Sequence, residues 1–450
     1  MAISTHISTL LSPYLAIFAV ATAVTGASLY WWALRYPRIA LYTLVASLVL
    51  GQVIRLPLPG QGGGLLLSDF AVVLVLAVSV SRMKKVTSLP MYIKSYVVWS
   101  MAFLSWSLIS LVVHAPYLEL TGYDTAIALS YWLRLTCYLS LLLALYVLPI
   151  APKEYRKIVI ATGIGMALLG LVQLLILPSL TSLSRFGFDP HQNRLVATWL
   201  DPNFIGLLFI GTFWGSLAFI KSFSGTIWYR LGVLNMVASA CSIALTKSRS
   251  TLLAFLVTLV VWAVLYAHAN AHRIFSKRII VRSISGLLIT SVLLAGVIYA
   301  LGSRGLASAY FDPTASLRVQ SYVSALEVIQ EYPIGGTGYN AYQFGLAKLG
   351  IGVSSAIHSR AGSDSSLLTL LATTGIVGVL IIISGITYFI GFLVSGTTEQ
   401  SRGAVTAVCL VVVAVLVHSQ FVNSMLYPHL LIAWAILLRS AYEPSSISTN

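Results

Sequence analysis

Charged residues are scarce in this sequence, and their scarcity excludes a soluble globular protein. Only 9% of the 450 residues are charged, against roughly 25% in soluble domains, and mean hydropathy is +0.91. Apolar runs of about 20 residues recur along the chain and match the length of a helix that crosses a bilayer. No alternating pattern of about ten residues indicates a β-barrel. The sequence therefore predicts an all-α, polytopic integral membrane helix bundle.

Cysteine and acidic residues are also rare, which argues against a disulfide framework or a metal site. The three cysteines, Cys137, Cys241 and Cys409, each lie inside an apolar run. No acidic pair stands at the spacing of metal ligands, so we predict neither a metal nor another cofactor. The first 20 residues contain no basic segment, so we expect the first apolar run to be a retained span rather than a signal peptide.

Thirteen apolar runs predict about 12 or 13 transmembrane helices, with boundaries good to a few residues. They lie at about 13–33, 39–54, 66–81, 91–113, 127–149, 158–178, 203–220, 229–247, 250–268, 284–301, 365–393, 403–420 and 428–440. The chain is thus predicted to comprise N-terminal spans in residues 1–301, one large extracytoplasmic loop in 302–364 and C-terminal spans in 365–450.

Basic residues fall on every second connection between these runs, which the positive-inside rule assigns to the cytoplasm. They include Arg35, Arg38, Arg82, Lys84, Lys85, Lys153, Arg156, Lys157, Lys221, Arg230, Arg273, Lys277, Arg278 and Arg282. Much of the formal charge of +15 is therefore a topology signal, and we expect no nucleic-acid partner. The same rule places the 302–366 stretch outside.

The outward stretch begins with the pattern of an amphipathic helix. Asp312 can cap it and Pro313 suits its first position, whereas Val319, Tyr322, Leu326 and Ile329 share one predicted face. Arg318 lies near the start of this helix, where the helix dipole does not favour a cation. A substrate-binding role or a solvated charge would each account for it.

A glycine-rich segment, 334–340, follows the helix. It contains Gly336 and Gly338 and continues into Tyr339. No strand precedes the segment and no Gly-Lys-Ser/Thr follows, so a nucleotide-binding loop is disfavoured. A tight turn that approaches a sugar or phosphate and a simple helix stop are both compatible with the glycines.

Two outward segments earlier in the chain together predict an anion site. Asp201, Pro202 and Asn203 have the chemistry of a helix start, whose free amides and dipole favour an anion. Arg194 lies upstream on the same side. The next outward turn, 246–250, adds Lys247, Arg249 and three hydroxyl residues. Guanidinium groups bind phosphate oxygens in pairs, so these segments predict a site for a phosphate-bearing lipid head.

The stretch ends with two candidate bases, Asp364 and His358. Asp364 stands at the start of a predicted span, where it could simply cap the helix. An unperturbed aspartate, with a pKa of about 3.9, is ionised near neutral pH and could accept a proton from a sugar hydroxyl. His358 is either the competing base or a loop histidine.

Four motifs in this order resemble the O-antigen ligase and polymerase superfamily of membrane glycosyltransferases. The motifs are RLVATWLDPNFIG from Arg194, TKSRSTLLA from Thr246, SLRVQSYVSALEVIQEYPIGGTGYNAY from Ser316, and DSSLLTLLATTGIVG from Asp364. The resemblance implies metal-independent, inverting transfer of a glycan from undecaprenyl diphosphate, outside the cytoplasmic membrane of a bacterium. It also implies that Arg194, Arg249 and Arg318 engage the substrate.

One position of the resemblance distinguishes two activities. The ligase motif has His, then Asn, Ser or Gln, nine residues, Gly, two residues and Gly. Here Ser365, Gly375 and Gly378 keep this spacing, but Asp364 occupies the place of the histidine. The motif therefore favours a polymerase of lipid-linked repeat units, with a chain-length regulator as a further candidate partner, over a ligase. A transporter is a third hypothesis, for which Asp69 and Arg134 within predicted spans are the main candidates.

Overall fold

The computed structural model describes residues 24–57, 64–83, 89–269, 313–351, 362–396, 398 and 401–441. These ranges contain helices α1 (24–35), α2 (Pro37–Leu50), α3 (Leu67–Val80), α4 (Met91–His114), α5 (Gly122–Val147), α6 (Pro152–Ile176), α7 (Pro202–Phe219), α8 (Ile227–Thr246), α9 (Arg249–Ala269), α10 (Pro313–Glu331), α11 (Tyr342–Lys348), α12 (Ser366–Ser395), α13 (Arg402–His418) and α14 (Pro428–Ala441). Short 3-10 turns cover Thr181–Phe186, Ala197–Trp199 and Ile220–Phe223. One antiparallel hairpin, β1 (Arg55–Pro57) and β2 (Gly64–Leu66), leads into α3.

The predicted all-α membrane architecture is confirmed. In the described part of the chain, seven helices (α4 to α9 and α12) are long and apolar enough to cross a membrane. Four shorter apolar helices, α2, α3, α13 and α14, correspond to predicted runs as well. The predicted run at 284–301 lies outside the described residues, and the run at 13–33 lies within them only in part.

Helix α7 forms the centre of the bundle, because glycines let its neighbours approach closely. About 72% of the residues in its most apolar 18-residue segment are buried. A Cβ atom at Gly206 would meet the side chain of Thr251 on α9, and one at Gly211 would meet Trp434 on α14. Small residues drive helix packing in membranes, where apolar burial gives no net advantage over lipid. The start of α7 is thereby fixed among the ends of its neighbours.

Helix α12 is broken at Gly375, and the glycine-rich segment fills the break. Gly375 has φ 64° and ψ −172°, a conformation that only glycine adopts readily. Three backbone hydrogen bonds of 2.9 Å join the parts, from Thr337 to Ala372, from Gly338 to Thr373 and from Ile376 to Pro333. They replace bonds that the interrupted helix loses, which matters because an unpaired backbone group in a membrane costs several kcal/mol.

Substituting Gly375 tests this break. Gly375→Ala is expected to destabilise the protein by about 1–3 kcal/mol through its backbone conformation alone. The overlap of the new Cβ with the Ile334 carbonyl adds to this cost. Thermal unfolding of the purified protein measures the effect. Gly391→Ala in the same helix is the control, since its Cβ meets nothing within 4 Å. Equal stability of the two variants would show that the break tolerates a side chain.

Helix α10 exists with Pro313 at its start, as predicted, but it packs through a different face. Ser321, Ala325 and Val328 are buried against the bundle. Val319 and Leu326, two members of the predicted apolar face, are 60% and 47% exposed. The small side chains of the buried face allow a close approach to α12, which a stripe of large residues would prevent. Asp312, the predicted cap, lies outside the described residues.

Candidate functional site

Several helices begin at the same end of the bundle, here called the site end. The start of α7 meets the turn between α8 and α9, where Ser248 Oγ donates to Asn203 Oδ1 over 2.7 Å. The Phe204 ring stacks on Tyr427, just before α14, with centroids 3.9 Å apart. Helices α7, α9, α12 and α14 therefore direct their positive dipole ends to one region, which favours an anion.

The turn between α8 and α9 is held in a defined shape. Lys247 adopts the left-handed conformation, with φ 50°, and ends α8. Ser248 is fully buried and its hydroxyl accepts from the Thr251 hydroxyl over 3.0 Å. Arg249 follows at once as the first residue of α9 and is partly exposed. The sequence-predicted residues Asn203, Lys247 and Arg249 are thus brought together.

Arg194 joins the same turn from another segment. Its Nε donates to the Thr246 carbonyl over 2.9 Å, and its Nη2 lies 3.5 Å from the Lys247 carbonyl. These are carbonyls at the C-terminus of α8, where the helix dipole favours a cation. Arg194 and Arg249 therefore flank one turn, which supports the predicted pairing of these arginines.

Asp201 caps α7 as the sequence predicts. Its Oδ1 accepts from the backbone amides of Asn203, at 2.7 Å, and Phe204, at 3.3 Å, and Pro202 takes the first helical position. Burial raises the pKa of Asp201 above its usual value, and these two amides and the charge of Arg194 oppose the shift. The Asp201 carboxylate thus caps α7, although its burial removes it from water.

The residue that caps α12 is not Asp364, which the sequence allowed as a helix cap. Ser365 is the N-cap residue, since its Oγ accepts from the Leu368 amide over 3.3 Å. Asp364 stands one residue earlier, where its backbone amide donates to Ser321 Oγ of α10 over 3.0 Å. The interpretation of Asp364 as the cap is therefore wrong, because the serine already fills that position. The Asp364 side chain is partly exposed at the site end.

Tyr322 links Arg318 to Asp364. Its hydroxyl donates to the Gln420 carbonyl over 3.0 Å, which holds α10 against the chain that follows α13. Burial raises the pKa of Tyr322, whereas the charge of Arg318 lowers it and that of Asp364 raises it further. Arg318 and Asp364 are therefore both within electrostatic range of one side chain, although 46 positions separate them in the sequence.

His418, the last residue of α13, lies between this acid–arginine group and the start of α7. It is fully buried, and its Nδ1 is 3.0 Å from Ser424 Oγ. The charge of Arg318 and the backbone of Asn203 both lie close enough to interact with its ring. The two groups of predicted residues thus border one region. Sequence reasoning missed His418, because this residue ends an apolar run and belongs to no motif.

The remaining predicted residues have different positions. Gly336 and Gly338 are buried against α12 and α4, where a Cβ would meet backbone atoms, so both have a structural role. Their binding of substrate stays a prediction. Tyr339 lies near Arg134 rather than beside the predicted substrate-binding arginines, Arg194, Arg249 and Arg318. His358, the competing base, lies outside the described residues.

One further group could hold a cation. The ligand atoms of Asp189, His191 and Asp201 lie within 4.8 Å of one another. The sequence did not indicate this group, because nine residues that include a 3-10 turn separate His191 from Asp201. Arg194 lies nearby with a positive charge, which disfavours a second cation.

The comparison with known families identifies this region. Residues 234–383 match the sequence model of the family described as O-Antigen ligase. This match supports the O-antigen ligase/polymerase superfamily. The predicted resemblance is confirmed at that level, and members of the superfamily are glycosyltransferase-like enzymes. The matched range contains Arg249, Arg318 and Asp364, whereas Arg194 and Asn203 precede it. No curated protein matches the chain.

Proposed function

We propose that the protein polymerises oligosaccharide repeat units carried on undecaprenyl diphosphate, by inverting glycosyl transfer. The observation that carries this proposal is the contact of α10 with the start of α12: the Asp364 amide donates to Ser321 Oγ, and Arg318 and Asp364 both lie within electrostatic range of Tyr322, near the turn that holds Arg194 and Arg249. A proton acceptor and a cluster of cations are what a displacement at an anomeric carbon requires when diphosphate leaves.

The distribution of charge supports a site that faces away from the cytoplasm, in the bacterial cytoplasmic membrane. Basic residues cluster at the opposite end of the bundle, where α6 begins with Lys153, Arg156 and Lys157 and α8 with Arg230. The positive-inside rule assigns that end to the cytoplasm. Lipid-linked donor and acceptor would then both reach the site end from the outer leaflet.

In the proposed reaction, a hydroxyl oxygen of the acceptor sugar attacks the anomeric carbon of the donor. The bond from that carbon to the diphosphate oxygen breaks, and undecaprenyl diphosphate leaves with the bonding electron pair. Asp364 accepts the proton of the attacking hydroxyl. Arg194, Arg249 and Arg318 stabilise the negative charge that develops on the diphosphate, assisted by the positive dipole end of α7.

The product profile of cells lacking this protein tests the proposal. A missing polymerase leaves single repeat units on the carrier or on the final acceptor, whereas the repeat units are joined in the parent strain. Gel electrophoresis of labelled glycans, with mass spectrometry of the lipid-linked pool, measures this. Reintroduction of the wild-type chain is the control and should restore long polymers.

A ligase, which passes a finished glycan to lipid A core or another acceptor, is the second candidate. The description of the matching family favours it. Its loss would leave long chains, rather than single units, on undecaprenyl diphosphate. That result would replace the polymerase proposal with the ligase.

Activity is expected to be independent of divalent metal ions. Treatment with EDTA should change the rate of glycan transfer by less than about twofold, because arginines supply the positive charge. The raised pKa of Asp201 and the charge of Arg194 also disfavour a cation at the Asp189–His191–Asp201 group. Asp189→Asn is the matched variant and should retain activity. A loss that Mg²⁺ or Mn²⁺ restores in the wild type, but not in Asp189→Asn, would identify a functional metal site.

A further inference from the structure

A second polar group at the site end surrounds Arg134 on α5. Arg134 Nε donates to Asp69 Oδ1 over 2.7 Å, and Tyr138 donates its hydroxyl to the same oxygen over 2.8 Å. The other carboxylate oxygen accepts from the Leu66 amide over 2.7 Å. Asp69 is therefore held by three donors and fixes the guanidinium through Nε.

The Arg134 guanidinium has unused hydrogen-bonding capacity at Nη2. Among the residues that the structure describes, the guanidinium makes its hydrogen bond through Nε, and Nη2 is buried without a partner. His429, at the start of α14, is fully buried, and neither of its ring nitrogens completes a hydrogen bond within the same described ranges. Buried polar groups are usually hydrogen-bonded, so two neighbouring groups with unused capacity point to a bound polar ligand.

The group adjoins the region proposed to bind diphosphate. Tyr427 is within electrostatic range of both Arg134 and Asp201, and its hydroxyl accepts from Gln52 Nε2 over 2.9 Å. His429 and Tyr339 lie within electrostatic range of Arg134 as well. A ligand that spans the two groups would therefore pass beside Tyr427.

The charge of the group distinguishes its ligand from a phosphate. The carboxylate of Asp69 cancels the charge of Arg134, whereas Arg194, Lys247 and Arg249 outnumber the two acids Asp189 and Asp201 near the neighbouring turn. A diphosphate is therefore drawn to the turn. A neutral group with several oxygens suits an ion pair whose donors are fixed in orientation, with a tyrosine and an imidazole beside it.

We infer that Arg134, oriented by Asp69, binds a saccharide of the lipid-linked substrate through sugar hydroxyl oxygens. This inference rests on the proposed function, because it takes the neighbouring turn as the diphosphate site. A transporter would use Asp69 and Arg134 for the passage of an ion or substrate. The inference gives this pair a role in substrate recognition instead. Tyr427 and His429 border the same subsite.

Two probes test the inference on the full-length protein in nanodiscs. One is undecaprenyl diphosphate, which has no sugar, and the other is the lipid-linked oligosaccharide extracted from cells that lack the protein. Arg134→Gln should bind the sugar-free carrier as the wild type does. It should bind the glycan-bearing lipid roughly 10- to 100-fold more weakly, as expected for lost hydrogen bonds to a charged donor. Tyr427→Phe, a milder change, should show the same selectivity to a smaller extent.

The outcomes separate this inference from the proposed function. Equal affinity of wild type and Arg134→Gln for the glycan-bearing lipid would overturn the saccharide subsite and leave the polymerase proposal intact. Parallel loss of both probes, or of folded protein, would show that the pair serves the fold or the diphosphate and would likewise overturn it. A wild type that binds neither probe would contradict the proposed function itself. Tyr388→Phe, exposed near the far end of α12 from the site end, is the matched control.

Discussion

Arg249→Ala is expected to lower the rate of polymer formation about 10²- to 10³-fold, the usual cost of removing one charged donor from a developing negative charge. Arg249 begins α9 beside the buried Ser248 and across from Arg194, so its charge faces the same turn as the start of α7. Arg318→Ala should have an effect of similar size from the α10 side. Polymer formed per unit time from purified lipid-linked repeat units measures both.

Arg230→Ala is the matched control for these variants. Arg230 is exposed in the first turn of α8, at the opposite end of the bundle, so its loss should leave the rate unchanged. Arg249→Lys separates charge from geometry, because an ammonium keeps the charge but not the bidentate contact with phosphate. If Arg249→Ala and Arg318→Ala both keep the length and amount of polymer, the proposed mechanism is wrong.

The membrane architecture could be predicted from the sequence because its signal is additive over many residues. Helices α4 to α9 lie close to the predicted runs, since the length of an apolar run and the positions of arginines fix a span without knowledge of its neighbours. The orientation of α10 could not be predicted in this way. Ser321 and Ala325 are buried in place of Val319 and Leu326. The buried face of a surface helix depends on the helix against which it packs. For α10 that helix is α12, which is distant in sequence.

The candidate site shows the same division between local and tertiary information. The α7 start, with its Asp201 cap and Pro202, was predicted because capping is local chemistry. Asp69 pairs with Arg134, 65 positions further along the chain. Arg318 and Asp364 both lie near Tyr322 because α10 docks against the bundle. Spacing along the sequence does not predict contacts between distant positions. The sequence could therefore identify these residues as candidates but could not predict that they lie close together.

Asp364→Asn should reduce glycan transfer about 10²- to 10⁴-fold, the range for loss of a general base, with little loss of stability. Ser365, rather than Asp364, caps α12, and the Asp364 contact with Ser321 is made by its backbone amide. Neither the cap nor that contact uses the carboxylate, so a large kinetic effect at unchanged stability would report chemistry. Ser365→Ala is the converse control, because it should cost about 1 kcal/mol of stability through the lost cap while the rate is retained.

Asp364→His gives the sharpest readout, because the family motif has histidine at this place. If residue 364 is the base, the rate falls as pH drops through the pKa of that residue, since protonation removes the acceptor. In the histidine variant this fall should move upward, from the range of an aspartate near 3.9 toward that of a histidine near 6.5. A pH–rate profile that is the same for both proteins would assign the proton to another group and leave Asp364 a positional role between α10 and α12.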